Sequence, residues 1–158
     1  HWLGCDDETL ARACELDTFR GSGRGGQKRN RTDSAVRLTL KGTGLSVTCD
    51  RTRSQHTNRR LAVRQLRVRI ALDCRCPADS PPALPARARP GRADHALRLA
   101  GILDALDHHQ YRVGDTARYL GLSTGRLVRE LGETPEAWRR TNARRTQLGM
   151  KPLKHPDT

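Results

Sequence analysis

Aromatic residues are scarce in this sequence: its 158 residues include one Phe, two Tyr and two Trp. Phe19 is the one Phe, Tyr or Trp between positions 3 and 110. A large ring buries much apolar area per side chain, so a core built without rings gains less from burial. We therefore expect a lean core of modest stability in the first half of the chain.

The five cysteines lack the spacing of a zinc site or of a disulfide framework. No Cys-x-x-Cys pair occurs, and Cys74-x-Cys76 has no second pair at ligand spacing. His108-His109 has no such partner pair either. We expect reduced cysteines, a cytoplasmic location, no metal and no cofactor. No apolar run approaches the roughly 18 residues of a membrane-spanning helix, so no membrane partner is expected.

Lysine is also rare, because only four of the 30 cationic residues are Lys, and the net charge is nevertheless +13. The charge lies in both halves, with the larger share in residues 1–73. The guanidinium of Arg is a planar fork that pairs with phosphate through two hydrogen bonds. Codon bias would also produce an arginine-rich chain, but the charge favours an RNA partner.

The most informative segment is residues 21–30, Gly-Ser-Gly-Arg-Gly-Gly-Gln-Lys-Arg-Asn. Four glycines within six residues allow positive φ and a close approach of backbone to a ligand. Cations surround the uncharged Gln27, a pattern typical of a loop that meets a polyanion. It is no P-loop, since no Gly-Lys-Ser/Thr follows, and the strand pattern after it argues against a dinucleotide site. The alternative is a solvated, flexible turn.

Further fixed spacings follow this loop. After Gly25-Gly26-Gln27 come Asn30, the stretch Thr32-Asp33-Ser34-Ala35-Val36-Arg37-Leu38-Thr39, Thr43-Gly44, and Arg53-Ser54-Gln55-His56 with Asn58. This combination over about residues 15–72 resembles the catalytic (GGQ) domain of class I peptide chain release factors. Nothing similar to a Pro-x-Thr or Ser-Pro-Phe codon reader occurs where one would be expected. We therefore expect a release-factor-like protein without the codon-reading domain.

The resemblance implies hydrolysis of the ester between a nascent peptide and tRNA in the ribosomal peptidyl transferase centre. Gly25 and Gly26 would give the loop its conformation, and Gln27 would be catalytic. The implied partners are large-subunit rRNA and the P-site peptidyl-tRNA, with the protein acting as a monomer. The chain has Arg24 where the family usually has Pro, and Lys28 where it usually has His. Both departures raise phosphate affinity and leave the proposed catalytic atoms in place.

Three other functions stay open at this stage. A ribosome- or RNA-binding protein could carry the loop without hydrolytic activity. A DNA-binding regulator could use a helix-turn-helix in the second half. A free peptidyl-tRNA hydrolase is disfavoured because the loop supplies no general base. The leading hypothesis is codon-independent rescue of stalled ribosomes.

The first half predicts an α+β fold, a small antiparallel sheet packed on one long helix with an extended GGQ loop. We expect a short helix over 6–13, a strand over 15–20 and a second strand over 34–40. A hairpin turn at 41–44 then leads to a strand with Leu45, Val47 and Cys49 on one face. Residues 54–72 predict a helix capped by Ser54, with exposed arginines that include Arg67.

The second half predicts a Pro/Ala/Arg-rich linker and a small all-α module. Residues 113–131 resemble a helix-turn-helix, with Gly121 at the turn and Ser123 capping the second helix. Leu122 and Leu127 are expected to face inward. Such three-helix units also serve as packing or protein-contact modules, so nucleic-acid contact is one of two interpretations.

The last predicted helix begins at Pro135, which is favoured in a first helical turn. Trp138 and Leu148 are expected to anchor it in the core, and its arginines are expected to be exposed. The predicted domains are 1–73 (catalytic), 74–93 (linker), 94–150 (helical module) and 151–158 (basic tail).

The candidate RNA-binding residues are the cations around the loop, at the start of the long helix, and on the last two helices. They are Arg20, Arg24, Lys28, Arg29, Arg31, Arg53, Arg59, Arg60, Arg126, Arg129, Arg139, Arg140, Arg144 and Arg145.

Overall fold

The α+β prediction is confirmed in a computed structural model that describes residues 2–20, 34–75, 84–87 and 93–156. In chain order the elements are α1 (Asp7–Arg12), β1 (Cys14–Phe19), β2 (Ala35–Leu40), β3 (Ser46–Cys49), α2 (Gln55–Asp73), α3 (Ala93–His108), α4 (Val113–Tyr119), α5 (Thr124–Gly132) and α6 (Pro135–Gln147). None of the helices in these ranges combines the length and apolar character needed to cross a membrane.

The three strands form one antiparallel sheet in the order β1-β2-β3. The predicted alternation in β2 is confirmed, because Val36, Leu38 and Leu40 are fully buried. β1 runs one residue earlier than predicted, from Cys14 to Phe19. The hairpin between β2 and β3 is confirmed, and Gly42 adopts a φ of 74° that favours glycine.

Helix α2 covers the sheet and builds the first core. Ser54 caps it as predicted, since its Oγ accepts a hydrogen bond from the Thr57 N–H at 3.2 Å. Ala62, Leu66 and Ile70 recur at i+4 spacing and pack on the buried face of the sheet. This apolar stripe is why residues 55–73 form a stable helix here.

The expected exposure of Arg67 is wrong, because its side chain is 1% exposed. The guanidinium donates to the carbonyl oxygens of Trp2, Leu3 and Cys5, at 3.3, 3.2 and 2.6 Å. Its Nε also donates to Asp7 Oδ1 at 3.0 Å. A buried charge is tolerated only when it is paired and hydrogen-bonded, and here the N-terminal segment supplies the acceptors. Arg67 therefore ties that segment to α2.

Replacing Arg67 by Lys is expected to lower the free energy of unfolding by about 2 kcal/mol, because an ammonium cannot reproduce the fork of hydrogen bonds. Urea unfolding at neutral pH measures the change. Arg59→Lys, on an exposed position of the same helix, is the matched control and should shift stability by less than about 0.5 kcal/mol. Equal losses in both variants would contradict this account of Arg67.

A second core joins the four C-terminal helices to the end of α2. Its buried members are Ala71, Leu72, Ala96, Leu99, Ala100, Ile102, Leu103, Leu106, Val113, Ala117, Leu127, Leu131 and Ala137. Ion pairs surround it: Arg75 meets Asp104 at 2.8 Å, and Arg140 meets Asp73 at 2.6 Å. The last turn of α2 is therefore shared by both cores, while the predicted domain boundaries stay a prediction.

A piece of the predicted linker, residues 84–87, lies against this second core. The Pro85 carbonyl accepts a hydrogen bond from Arg98 Nη1 at 2.5 Å, and Leu84 packs on the buried cluster. Gly101 makes room for this contact, since a Cβ there would lie 2.7 Å from Leu84 Cδ2. Leu84 and Pro85 thus contact the unit formed by residues 93–156, which we call the helical unit.

The helix-turn-helix prediction is confirmed in its main features. Gly121 has a φ of 64° between α4 and α5, Ser123 caps α5 by accepting from the Arg126 N–H, and Leu127 is fully buried. Leu122 is only half-buried.

The last helix begins at Pro135 as predicted, and Trp138 packs on the second core. The core role of Leu148 is wrong, because it follows the end of α6 and is 43% exposed.

A buried ion pair between Arg98 and Glu130 connects α3 to α5, with Nε and Oε2 2.6 Å apart. Burial raises the pKa of Glu130, but hydrogen bonds from Arg98 and Arg126 outweigh burial and lower the pKa below its ordinary value. A lowered folded-state pKa means that the stabilisation is complete above the unfolded-state pKa of about 4.3 and is lost as pH falls through the folded-state value.

We therefore expect the stability difference between the wild type and Glu130→Gln to be large at neutral pH and to shrink below about pH 4. Urea unfolding at several pH values measures both proteins. A difference that stays constant down to pH 3 would show that the Glu130 charge adds nothing to stability.

Candidate nucleic-acid interface

The glycine-rich segment begins and ends at one end of the sheet. Residues 21–33 lie outside the described residues, and with them Gly25, Gly26, Gln27, Arg24, Lys28, Arg29 and Arg31. Their described flanks are close together, because Phe19 at the end of β1 pairs with Ala35 at the start of β2. The Arg37 guanidinium lies over the Phe19 ring, 5.3 Å from its centroid. The segment therefore leaves and re-enters the fold between two hydrogen-bonded strands.

Asn58 fixes the point where this segment re-enters the fold. Its side chain is fully buried, and its Nδ2 donates to the Ser34 and Thr52 carbonyl oxygens, each at 2.7 Å. Its Oδ1 accepts from the Thr52 N–H at 2.9 Å. One amide thus joins the residue after the segment, the loop before α2, and the first turn of α2. Both N–H donors of the Asn58 side chain are therefore used.

The first turns of α2 present cations next to that anchor. Arg53, Arg59 and Arg60 are exposed, and none of them forms an ion pair with another residue in the described ranges. The first turn of α2 contains no acidic residue, so the positive end of its dipole adds to their charge. Arg20, on the other flank of the glycine-rich segment, is exposed as well.

A groove of about 470 Å³ runs between α1 and α2 beside these cations. Its lining residues are Asp7, Glu8, Ala11, Arg12, His56, Arg59, Arg60 and Val63. Arg12 lies on the α1 side and two arginines lie on the α2 side, so cations from both helices line the groove. Glu8 and Asp7 occupy the first turn of α1, which restricts the cationic part to the rest of the groove.

The predicted contacts on α5 and α6 divide into two groups. Arg129 is exposed and forms no ion pair with the residues described. Arg126 contacts Glu130, whose side chain is only 5% exposed and also pairs with Arg98, so a buried carboxylate holds this arginine. Arg139 contacts Glu136, and Arg144 contacts Gln147, on the solvent side of α6. Exposed contacts of this kind contribute little in water.

The expected exposure of the whole arginine cluster on α6 is wrong for two members. Arg140 is half-buried between Asp73, Glu136 and the Leu72 carbonyl. Arg145 donates to the Tyr111 carbonyl at 2.6 Å and to the Lys151 carbonyl. Carbonyls left unpaired at turns attract long cationic side chains, and the sequence pattern did not reveal those acceptors. The proposed RNA contact of either residue stays a prediction.

The role of Asn58 could have been predicted from the sequence. It stands four residues before Ala62, in line with Leu66 and Ile70, so it lies on the apolar face of α2. An amide in such a stripe is buried and needs internal partners. The position of Arg67 gives the same indication, since it lies four residues after the buried Val63 and thus on the apolar face of α2.

The described part of the interface can bind and position an anion. It holds cations, hydroxyls and amides, and no group of three or more His, Cys, Asp or Glu there is arranged to hold a metal ion.

Comparison with known proteins places this fold in a family. The family model described as the RF-1 domain matches residues 8–87. The chain is 55% identical over 56 residues to peptide chain release factor 1 of Caldicellulosiruptor bescii, covering 35% of this chain and 16% of that protein. It is 49% identical over 65 residues to peptide chain release factor 2 of Pseudothermotoga lettingae, covering 41% of this chain and 18% of that protein. It is 52% identical over 68 residues to peptide chain release factor 1 of Chlamydia felis, covering 41% of this chain and 19% of that protein.

The chain therefore matches less than a fifth of the length of these curated relatives. The matched part is the domain that contains the sheet, α2 and the glycine-rich segment. Residues 93–156, which form the helical unit, lie beyond the family match.

Proposed function

Since the chain belongs to the RF-1 domain family, we propose that it hydrolyses the ester of peptidyl-tRNA on the ribosome. Water would attack the ester carbonyl, a tetrahedral intermediate would form, and the ribose hydroxyl of the tRNA would leave. The observation that carries this proposal is Gly25-Gly26-Gln27 on a segment whose flanks are fixed by the β1–β2 pair and by Asn58.

The proposed roles in that reaction are those that the resemblance to release factors implies for these residues. Gly25 and Gly26 allow backbone conformations that bring the chain close to the tRNA end. The Gln27 N–H stabilises the developing oxyanion or the departing hydroxyl, as a donor held in position before the reaction begins. The Gln27 side chain restricts the nucleophile to water. The remaining groups around the ester would be rRNA and tRNA, which agrees with a loop that supplies no general base.

The cations beside the segment would hold it on RNA. Arg20, Arg53, Arg59 and Arg60 surround the flanks and the start of α2, and their guanidinium groups would contact rRNA phosphates. These contacts would position the protein without reading sequence, so their loss should weaken binding and reduce its dependence on salt. Arg24, Lys28, Arg29 and Arg31 would extend this contact.

We also propose that the protein acts on stalled ribosomes without reading a stop codon. The helical unit of α3–α6 supports this, because it packs directly on α2 and carries its own exposed cations, including Arg129. A basic unit packed on the hydrolytic domain could hold that domain on the ribosome through RNA phosphates alone.

The test measures peptide release from ribosomes stalled on an mRNA that lacks a stop codon, and compares it with complexes holding a stop or a sense codon. We expect release on all three for the wild type and a marked loss for Gln27→Ala. Release restricted to stop codons would overturn the rescue proposal and leave hydrolysis standing. Ribosome binding with no release on any complex would instead favour a non-catalytic RNA-binding protein.

A further inference from the structure

Two histidines and a tyrosine form a cluster of rings at the surface where α3 and α4 meet, with His108 and Tyr119 exposed and His109 half-buried. His108 ends α3, His109 follows it, and Tyr119 ends α4. The His109 and Tyr119 ring centroids are 5.0 Å apart, those of His108 and Tyr119 6.2 Å, and those of the two histidines 4.9 Å. Tyr119 is 45% exposed, although the chain has only five Phe, Tyr and Trp residues to bury. We name these three residues the ring cluster.

Cations flank the ring cluster. Arg112 is exposed, and its N–H donates to the His109 carbonyl at 3.1 Å, so it belongs to the same turn. Arg118 precedes Tyr119 and is 82% exposed. It pairs with Asp115 at 3.2 Å, but a pair this exposed to water is weak and can give way to a phosphate. An exposed ring on a surface that also carries exposed guanidinium groups suits a ligand with an aromatic face and a negative backbone.

The turn beneath the ring cluster is strained. Gln110 and Tyr111 both have positive φ, 52° and 61°, in a conformation that residues with a Cβ rarely adopt. Tyr111 is held there from both sides, since its N–H donates to the Leu106 carbonyl at 2.7 Å and its carbonyl accepts from Arg145 at 2.6 Å.

The imidazole next to that turn adds a second unfavourable feature. His109 Nε2 is buried and has no hydrogen bond within the described part of the chain. Backbone strain is costly and is often found at ligand sites, and a buried polar atom without a protein partner can be satisfied by a bound ligand or water. The His109 ring lies beside the exposed Tyr119 ring, and the strained turn follows His109 directly in the chain.

We propose that the ring cluster binds single-stranded RNA, with an unpaired base stacked on Tyr119 and flanking phosphates on Arg112 and Arg118. A single strand is required because the faces of paired bases are covered by their neighbours in a duplex. This site lies on the helical unit, apart from the glycine-rich segment. The proposal rests on the proposed function only in taking RNA as the ligand.

The test uses the full chain and a short fluorescent single-stranded RNA, with binding followed by fluorescence anisotropy. Tyr119→Ala should weaken binding about tenfold, whereas Tyr119→Phe should bind within about twofold of the wild type. The matched control is Leu97→Ala, which removes another exposed apolar side chain near the opposite end of α3. Circular dichroism and thermal unfolding confirm that each variant is folded.

Abasic RNA of the same length separates stacking from charge. We expect the difference between wild type and Tyr119→Ala to disappear on abasic RNA, since only the phosphates remain. Equal affinity of the two proteins for normal RNA would overturn the proposal, and so would tighter binding to duplex RNA or to single-stranded DNA. If Tyr119→Ala does not fold, His108→Ala, at an exposed position, replaces it with the same expected direction.

This binding assay involves no ribosome and no ester. A protein that releases peptide yet shows no Tyr119 effect would retain the proposed function and lose this site. A protein that binds RNA through Tyr119 but releases no peptide would retain this site and lose the proposed function.

Discussion

Gln27→Pro is expected to lower the rate of peptide release by about two to three orders of magnitude, the effect of removing one oxyanion donor. Proline has no backbone N–H, so the substitution deletes the donor that the mechanism assigns to position 27. Gln27→Ala keeps that N–H and should therefore lose less. Single-turnover release from ribosomes saturated with protein separates this chemical effect from weaker binding.

The matched control introduces a proline elsewhere in the same segment. Position 24 is Arg here and usually Pro in the release-factor family that the chain resembles, so Arg24→Pro stiffens the backbone without touching the Gln27 N–H. We expect Arg24→Pro to release peptide at nearly the wild-type rate when saturating, with weaker binding because a cation is lost. Equal losses in the two proline variants would show that stiffness, rather than the missing donor, explains Gln27→Pro.

Periodicity explains what the sequence predicts well in this fold. The alternation of Val36, Leu38 and Leu40 and the i+4 stripe of α2 both arise from local geometry, so sheet and helix could be predicted within one or two residues. Ser123 and Pro135 mark helix starts for equally local reasons.

Long-range hydrogen bonds explain what the sequence did not predict. The acceptors of Arg67 are carbonyls more than 60 residues away in the chain, and no local sequence pattern indicates them. The positive φ of Gln110 and Tyr111 was likewise not predictable, because neither residue type favours that conformation. Within the candidate site, the residue types indicated phosphate binding. The sequence could not show that Arg129 is exposed while Arg140 and Arg145 are half-buried, because that difference depends on the folded structure.

Asn58→Asp is expected to destabilise the protein by about 3–5 kcal/mol at neutral pH, the range for an uncompensated buried charge. The substitution keeps the shape of the side chain but replaces the amide donor by an oxygen. That oxygen would face the carbonyl oxygens of Ser34 and Thr52, which Asn58 now contacts at 2.7 Å. Protonation would restore one donor, so part of the loss should be recovered as pH falls toward the pKa of the new carboxyl group.

Because Ser34 directly follows the glycine-rich segment, the same substitution should also slow peptide release among molecules that remain folded. Asn142→Asp is the control, since Asn142 also bonds backbone, at Leu153, but is half-buried and lies on α6. It should lose about 1 kcal/mol and keep the release rate. Urea unfolding and single-turnover release, measured on both variants, distinguish the two roles. A normal release rate in folded Asn58→Asp would mean that the amide stabilises the fold without positioning the segment.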